Sequence, residues 1–273
     1  MKTGTFDATP FFSPLSVWVR EWTEVCKARL TLLVLMTTWA GFYLGARGSV
    51  DLVLLFHTMI GTALVAAGAS AFNQFLERDS DALMKRTADR PLPSGRLNAD
   101  EVMLFACVTS IAGMCWLGFA VNLPAATFAA LTLVLYVFVY TPMKKTSSLN
   151  TLVGAVPGAL PPVIGWAAAS GGLSAEAWYL FAILFLWQMP HFLAIAWLYR
   201  EDYARAGFRM LTLDDPDGRI TSRQAFAYAV ALLPVSLFPA MYLMVRSLFF
   251  PGALALGLGY AWLAWGFIAA RTR

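Results

Sequence analysis

A chain of 273 residues with 59% hydrophobic and only 13% charged side chains, and a mean hydropathy of +0.64, departs from a soluble globule in both directions. It reads as a polytopic membrane protein, so its net charge of +4 bears on how loops are placed across a bilayer and not on nucleic acid, which is excluded as a partner. Cys26, Cys107 and Cys115 lack metal-ligand spacing and read as free packing thiols.

In chain order, residues 1 to 14 carry no apolar h-region, so no cleavable signal peptide is expected and the first spanning helix directs insertion. Ser13 and Pro14 form an N-cap and N1 pair, and Leu15, Trp18, Val19, Trp22 and Val25 follow at helical spacing. This predicts an amphipathic helix on the membrane surface with Arg20, Glu21, Glu24 and Lys27 toward water. The segment 1 to 29 is thus a cytoplasmic N-terminal piece ahead of a single transmembrane domain over 30 to 273.

Apolar runs able to cross about 30 Å of hydrocarbon lie near 30–46, 52–76, 101–121, 124–141, 150–170, 176–198, 224–245 and 250–270. The fold class is an all-α membrane helix bundle of eight spans. With both termini on one side, that side receives every Lys and Arg except Arg47 and Arg246, which makes it cytoplasmic. Gly41 and Gly45, Gly61 to Ser70, and Gly154 and Gly158 mark close helix packing. Pro157, Pro161 and Pro162 remove backbone donors in mid-membrane, which suggests a cavity wall.

The polar chemistry concentrates in NQFLERDSDALMKRTADRPLPSGR, Asn73 to Arg96. Asn73, Glu77 and Asp81 fall at i, i+4 and i+8, so three oxygen-bearing side chains project from one helix face at the membrane edge. Arg86 and Arg90 repeat the spacing with positive charge, as a metal-bridged diphosphate requires. A second acidic site, LYREDYARAGFRML, offers Asp202 as a metal ligand beside Arg200, Arg205 and Arg209, and Lys144 and Lys145 lie in a third loop on the same surface. Two acidic helix ends facing each other would hold two metal ions with a diphosphate as shared ligand. Asp214, Asp215 and Asp217 read as a solvated turn.

The first motif, continuing into MKRTADRPLPSG, is similar to the first aspartate-rich motif of the UbiA superfamily of intramembrane prenyltransferases. With YTPMKKTSSLNTLVGAVPGALPPVIGW, WQMPHFLAIAW and DYARAGFRML, it most closely resembles the branch that farnesylates haem, over most of residues 70 to 211. The resemblance implies a UbiA-type bundle around a central cavity open to the cytoplasmic side, in a bacterial cytoplasmic (inner) membrane. It also implies Mg²⁺ as cofactor, farnesyl diphosphate and haem b as substrates, and haem O as product. In two respects the chain differs from the superfamily pattern: Ala206 stands where other branches carry a second Asp, and eight spans are counted instead of nine.

The implied mechanism gives Asn73, Asp81 and Asp202 catalytic roles, makes Asn73, Glu77, Asp81 and Asp202 the metal ligands, and assigns the diphosphate to Arg86, Arg90, Lys144 and Lys145. His191 is the candidate haem ligand. It precedes Asp202 by 11 residues, which on one continuous helix would turn both toward the reaction cavity, whereas His57 faces away from the first motif and reads as structural. A haem A synthase or an oxidase assembly factor is the expected protein partner. Two alternatives stay open: a prenyltransferase for another lipophilic aromatic acceptor, and a transporter, which would want charge at mid-membrane.

Overall fold

In a computed structural model, described over residues 14–242 and 249–270, the chain is helical throughout its described length apart from turns. The expectations on residues 1 to 13, Arg246 and the C-terminal end of the span at 224–245 lie outside the described residues.

The spanning helices follow the hydropathy. Helices α2 (Ala28–Gly45), α3 (Leu52–Asp81), α4 (Ala99–Ala120), α9 (Ala175–Leu198) and α12 (Phe249–Ala270) are single pieces. The span from Leu123 to Met143 is composite: α5 (Leu123–Val134), a π-helical turn (Leu135–Tyr140) and α6 (Thr141–Met143). The span from Asn150 to Ser170 breaks at Leu160 into α7 (Asn150–Ala159) and α8 (Pro161–Ser170). Seven of these spans are long and apolar enough to cross a membrane. The eighth expected span falls on α11 (Arg219–Tyr242), also 24 residues long. Large apolar side chains such as Leu32, Leu104, Phe119 and Trp262 point outward, as a lipid-facing surface requires.

Glycine sets the closest approaches. A Cβ on Gly41 would lie 2.0 Å from the Pro162 carbonyl oxygen and one on Gly165 would lie 1.9 Å from that of Thr38, so α2 and α8 meet backbone to backbone. Pro161 to Ala168 are accordingly buried. Pro161 and Pro162 thus sit where α8 packs against α2, Pro161 also lining a small apolar cavity with Val34, Val65 and Leu133, and neither they nor Pro157 line the polar cavity described below.

At 30 residues, α3 is about 45 Å long, longer than a hydrocarbon core of about 30 Å, so its last turns project past the apolar layer and carry the first motif. Asp51 caps its other end, accepting hydrogen bonds from the amides of Val53 and Leu54.

The interfacial helix exists as α1 (Pro14–Val25), but it is part of the bundle. Trp22 packs on Phe105 with ring centres 4.7 Å apart, and Gln74 Nε2 donates to the carbonyls of Glu24 and Val25. Two side chains expected in water are not there. Glu21 is buried, accepting from Arg96 Nε at 2.9 Å, because the loop after α3 folds back over α1. Lys27 turns inward, as described below. Asp215 is likewise buried rather than solvated, accepting from the amides of Arg219 and Thr221 at the start of α11.

Candidate active site

Lys27 sits between α1 and α2 in the left-handed region, φ 47°, which ends one helix and starts the next in a new direction. The break aims its ammonium at the ladder on α3: Lys27 Nζ donates to Asn73 Oδ1 at 2.7 Å. Gln74, adjacent to Asn73, holds the carbonyls at the end of α1, so the same turn of α3 forms the ladder and positions the helix that delivers Lys27.

The remaining members arrive from three directions. After α3, Thr87 Oγ1 donates to the Asp81 carbonyl, and the following turns carry Arg90 back so that Nη1 donates to Asp81 Oδ2 at 2.6 Å. The π-helical turn and α6 bring Lys144, whose Nζ donates to Glu77 Oε1 at 2.6 Å. Pro142 cannot donate to a preceding carbonyl, and here the helix widens: Thr141 bonds the carbonyl of Tyr136, five residues back, by both its amide and its hydroxyl. Tyr136 and Tyr140 lie side by side in consequence, ring centres 5.7 Å apart and planes tilted by 30°, and Lys144 lies 4.6 Å from the centre of the Tyr140 ring. Finally the Arg209 amide donates to the Lys144 carbonyl and Asn150 Nδ2 to that of Arg209, which seats Phe208 and Met210 against the site.

These residues enclose a cavity of about 250 Å³ lined by Lys27, Asn73, Glu77, Asp81, Arg86 and Arg90, with Lys144, Tyr136, Tyr140 and Tyr203 closing it. Each acid-side group has its own base: Asn73 with Lys27, Glu77 with Lys144, Asp81 with Arg90. Burial, aided by Arg90, pushes the Lys27 ammonium down to about 7, with Glu77 pulling the other way. Burial also opposes charge on Lys144, but Glu77, with Tyr140 and Tyr136, outweighs it and holds that ammonium above the ordinary lysine value. The site therefore stores positive charge around two carboxylates, a device for gripping a polyanion.

Of the expected site residues, the structure gathers Asn73, Glu77, Asp81, Arg86, Arg90 and Lys144 at this cavity. Lys145 is exposed and does not line it. Asp202 is buried but paired with Arg205, one residue from the lining Tyr203, and among the described residues no three His, Cys, Asp or Glu side chains converge. Asp202 itself does not line this cavity.

The structure places His191 elsewhere. It is exposed on the side of α9 toward α11 and α12, in a slot with Trp187, Tyr260 and Phe267, and does not line the polar cavity. The reason is a break in the helix: α9 stops at Leu198, Tyr199 adopts φ −105° and ψ 22°, and α10 (Arg200–Arg205) sets off anew. Counting 11 residues along one helix no longer relates His191 to Asp202. Lys27, Gln74 and Tyr136 were missed; for the tyrosines a signal existed, since Tyr136, Tyr140 and Lys144 recur every four residues.

The model of the UbiA prenyltransferase family matches residues 34–273. The chain belongs to that family. A relative from Solibacter usitatus named protoheme IX farnesyltransferase is 52% identical, the match covering 89% of this chain and 86% of the relative. One of the same name from Koribacter versatilis is 45% identical, covering 90% and 80%. Among solved structures, a UbiA homologue from Archaeoglobus fulgidus bound to DMAPP and Mg²⁺ superposes with a TM-score of 0.72 at 15% identity, covering 89% of this chain and 86% of that one. The chain is thus a prenyltransferase with the UbiA helix bundle.

Proposed function

We propose that this protein transfers the farnesyl group of farnesyl diphosphate to a vinyl group of haem b, with addition of water, to give haem O. The acceptor and donor follow the names of the relatives at 45% and 52% identity. The observation that carries the chemistry is the meeting of Lys27, Arg90 and Lys144 with Asn73, Glu77 and Asp81 at one end of a membrane bundle. A transporter would place charge at mid-membrane, whereas here it lies at the helix ends.

The donor set fits a divalent cation. Asp81 Oδ1 is buried and takes no hydrogen bond among the described residues, and Glu77 adds a second carboxylate on the same face. Asn73, Glu77 and Asp81 are the proposed holders, with Mg²⁺ the candidate because the Archaeoglobus homologue binds it with its prenyl diphosphate. When bound, the cation neutralises part of the leaving diphosphate's charge. Asp202, engaged by Arg205, is left outside this set.

The protein's own groups do the rest. On diphosphate entry, Lys27, Arg90 and Lys144 exchange protein oxygens for phosphate oxygens, and Arg86 at the rim, its guanidinium over the Tyr199 ring at 4.9 Å, adds a further donor. The allylic C1–O bond breaks, its electron pair leaving with the diphosphate. The vinyl π pair of haem forms the new C–C bond, and water captures the resulting cation and loses a proton. Tyr136 and Tyr140 flank the cavity and can face the allylic cation, while Met84, Phe208 and Met210 exclude stray water. The excess of Lys and Arg in the loops at this end supports a cytoplasmic orientation in a bacterial inner membrane.

The test is conversion by the purified protein of farnesyl diphosphate and haem b, with Mg²⁺, read by mass spectrometry. A haem heavier by one farnesyl group and one hydroxyl group, formed together with free diphosphate, is the expected result. Diphosphate release without any change in the haem would overturn the acceptor.

A further inference from the structure

The polar cavity must stay dry while the allylic cation lives, yet one water has to reach the haem side chain at the end of the same turnover. Few of the groups around the cavity can hold that water. Its lysines and arginines carry only donors, and Asn73, Glu77 and Asp81 are the proposed holders of the cation. The rest of the lining is apolar apart from three phenols, Tyr136, Tyr140 and Tyr203. A phenol both accepts a hydrogen bond and donates one, as a held water requires.

Tyr203 differs from the other two. Tyr136 and Tyr140 stand together on the π-helical wall, where the Lys144 ammonium lies against the Tyr140 ring. Tyr203 comes from α10, past the end of the span at Leu198, so its backbone belongs to the wall between the cavity and the surrounding water. Its neighbours Ala204 and Arg205 are exposed, whereas Tyr203 itself is only 9% exposed. The ring is held in an apolar cluster with Met84, Ala196, Phe208 and Met210. Among the described residues its hydroxyl makes no hydrogen bond, although it borders a cavity of about 250 Å³. A hydroxyl so deeply placed is costly unless water or a ligand satisfies it, and the cavity has room for a water of about 30 Å³.

We infer that Tyr203 is a further catalytic residue, whose phenol holds the water that captures the haem side-chain cation. This rests on the reading of haem as the acceptor. The water donates one hydrogen to the phenol oxygen and turns a lone pair toward the cation. As that pair forms the C–O bond, the water's proton passes to the phenol oxygen, and the phenol's own proton passes to an oxygen of the released diphosphate, a base that the first step leaves in the cavity. Tyr203 ends as it began, the diphosphate carries the proton and the haem carries the hydroxyl. Without a held water the cation loses a proton from the neighbouring carbon, and the product is an alkene, lighter by one water.

The test is the ratio of hydroxylated to alkene product formed by the full-length protein in lipid nanodiscs from farnesyl diphosphate and haem b with Mg²⁺, read by mass spectrometry. Tyr203→Phe keeps the ring in its cluster and removes only the oxygen. It should slow capture by about 10²-fold, the scale of one positioned proton-transfer group, so that the alkene replaces the hydroxylated haem as the main product while the KM for farnesyl diphosphate changes little. Tyr203→His, whose neutral imidazole again accepts and donates, should recover part of the hydroxylated haem. The ratio is set within each turnover, so it does not depend on how much of a variant is folded. An unchanged ratio in Tyr203→Phe would overturn the inference, and so would loss of all diphosphate release in that variant, which would assign the phenol to ionisation or to the fold. If the wild type still makes the hydroxylated haem in either event, only the water site falls. If the wild type leaves haem unaltered, the acceptor reading falls with it.

Discussion

The polar cavity and the groove between α9 and α12 share no lining residue and are built on opposite principles. In the cavity every candidate ligand is paired with a base drawn from a different part of the chain: Lys27 from the α1–α2 junction, Arg90 from the loop after α3, Lys144 from the end of the π-helical span. The groove and the slot beside it are lined mainly by apolar and aromatic side chains, with Ser236 and His191 among the few polar ones. Charges that neutralise one another in advance are ready to be redistributed onto a polyanion without bringing bare charge into a low-dielectric site. The comparison predicts that substitutions in the groove spare diphosphate binding in the cavity.

The largest expected effect comes from Asp81→Asn, which removes the free buried oxygen's charge and strands Arg90. Turnover should fall by about 10²–10³ or more, the scale of losing a preorganised electrostatic contact, measured as farnesyl diphosphate-dependent diphosphate release, with haem b binding unchanged. Loss of haem b binding in the same variant would mean that Asp81 holds the fold and not only the leaving group.

Next in size is stability. Lys144→Met leaves Glu77 buried and unpaired, which should cost roughly 3–5 kcal/mol, read as a large drop in thermal midpoint. Adding Glu77→Gln should recover much of the stability and none of the activity, because the charge is then gone from both sides. A double variant as unstable as the single one would mean that Lys144 holds the fold by packing alone.

What the sequence made legible, and what it concealed, follows the same division between local and distant structure. The spans were readable because hydropathy is a property of a segment by itself, and their ends agree with the helices to within a few residues. Asn73, Glu77 and Asp81 were readable because one uninterrupted helix fixes their common face. Lys27 was hidden by a single left-handed residue that redirects the chain, and Glu21 by Arg96, 75 residues away. Asp202 and His191 were misplaced for one shared reason, the change of direction at Tyr199. A pattern of apolar and polar residues carries no sign of such a break.

A smaller effect separates two lysines that look alike in sequence. Lys27→Met should raise the KM for farnesyl diphosphate about tenfold, the loss of one charge-assisted contact of ~1.5 kcal/mol, whereas Lys145→Met, outside the cavity, should change it less than twofold. Equal effects would place the diphosphate nearer the surface than the cavity does.

The location of the diphosphate is most directly tested by an experimental structure with a non-cleavable analogue, farnesyl thiodiphosphate, and Mg²⁺. We predict the diphosphate group between Lys27, Arg90 and Lys144, with Asn73, Glu77 and Asp81 turned toward the cation and the Glu77–Lys144 and Asp81–Arg90 pairs opened. A diphosphate seated elsewhere, with both pairs intact, would contradict the assignment of this cavity as the reaction site.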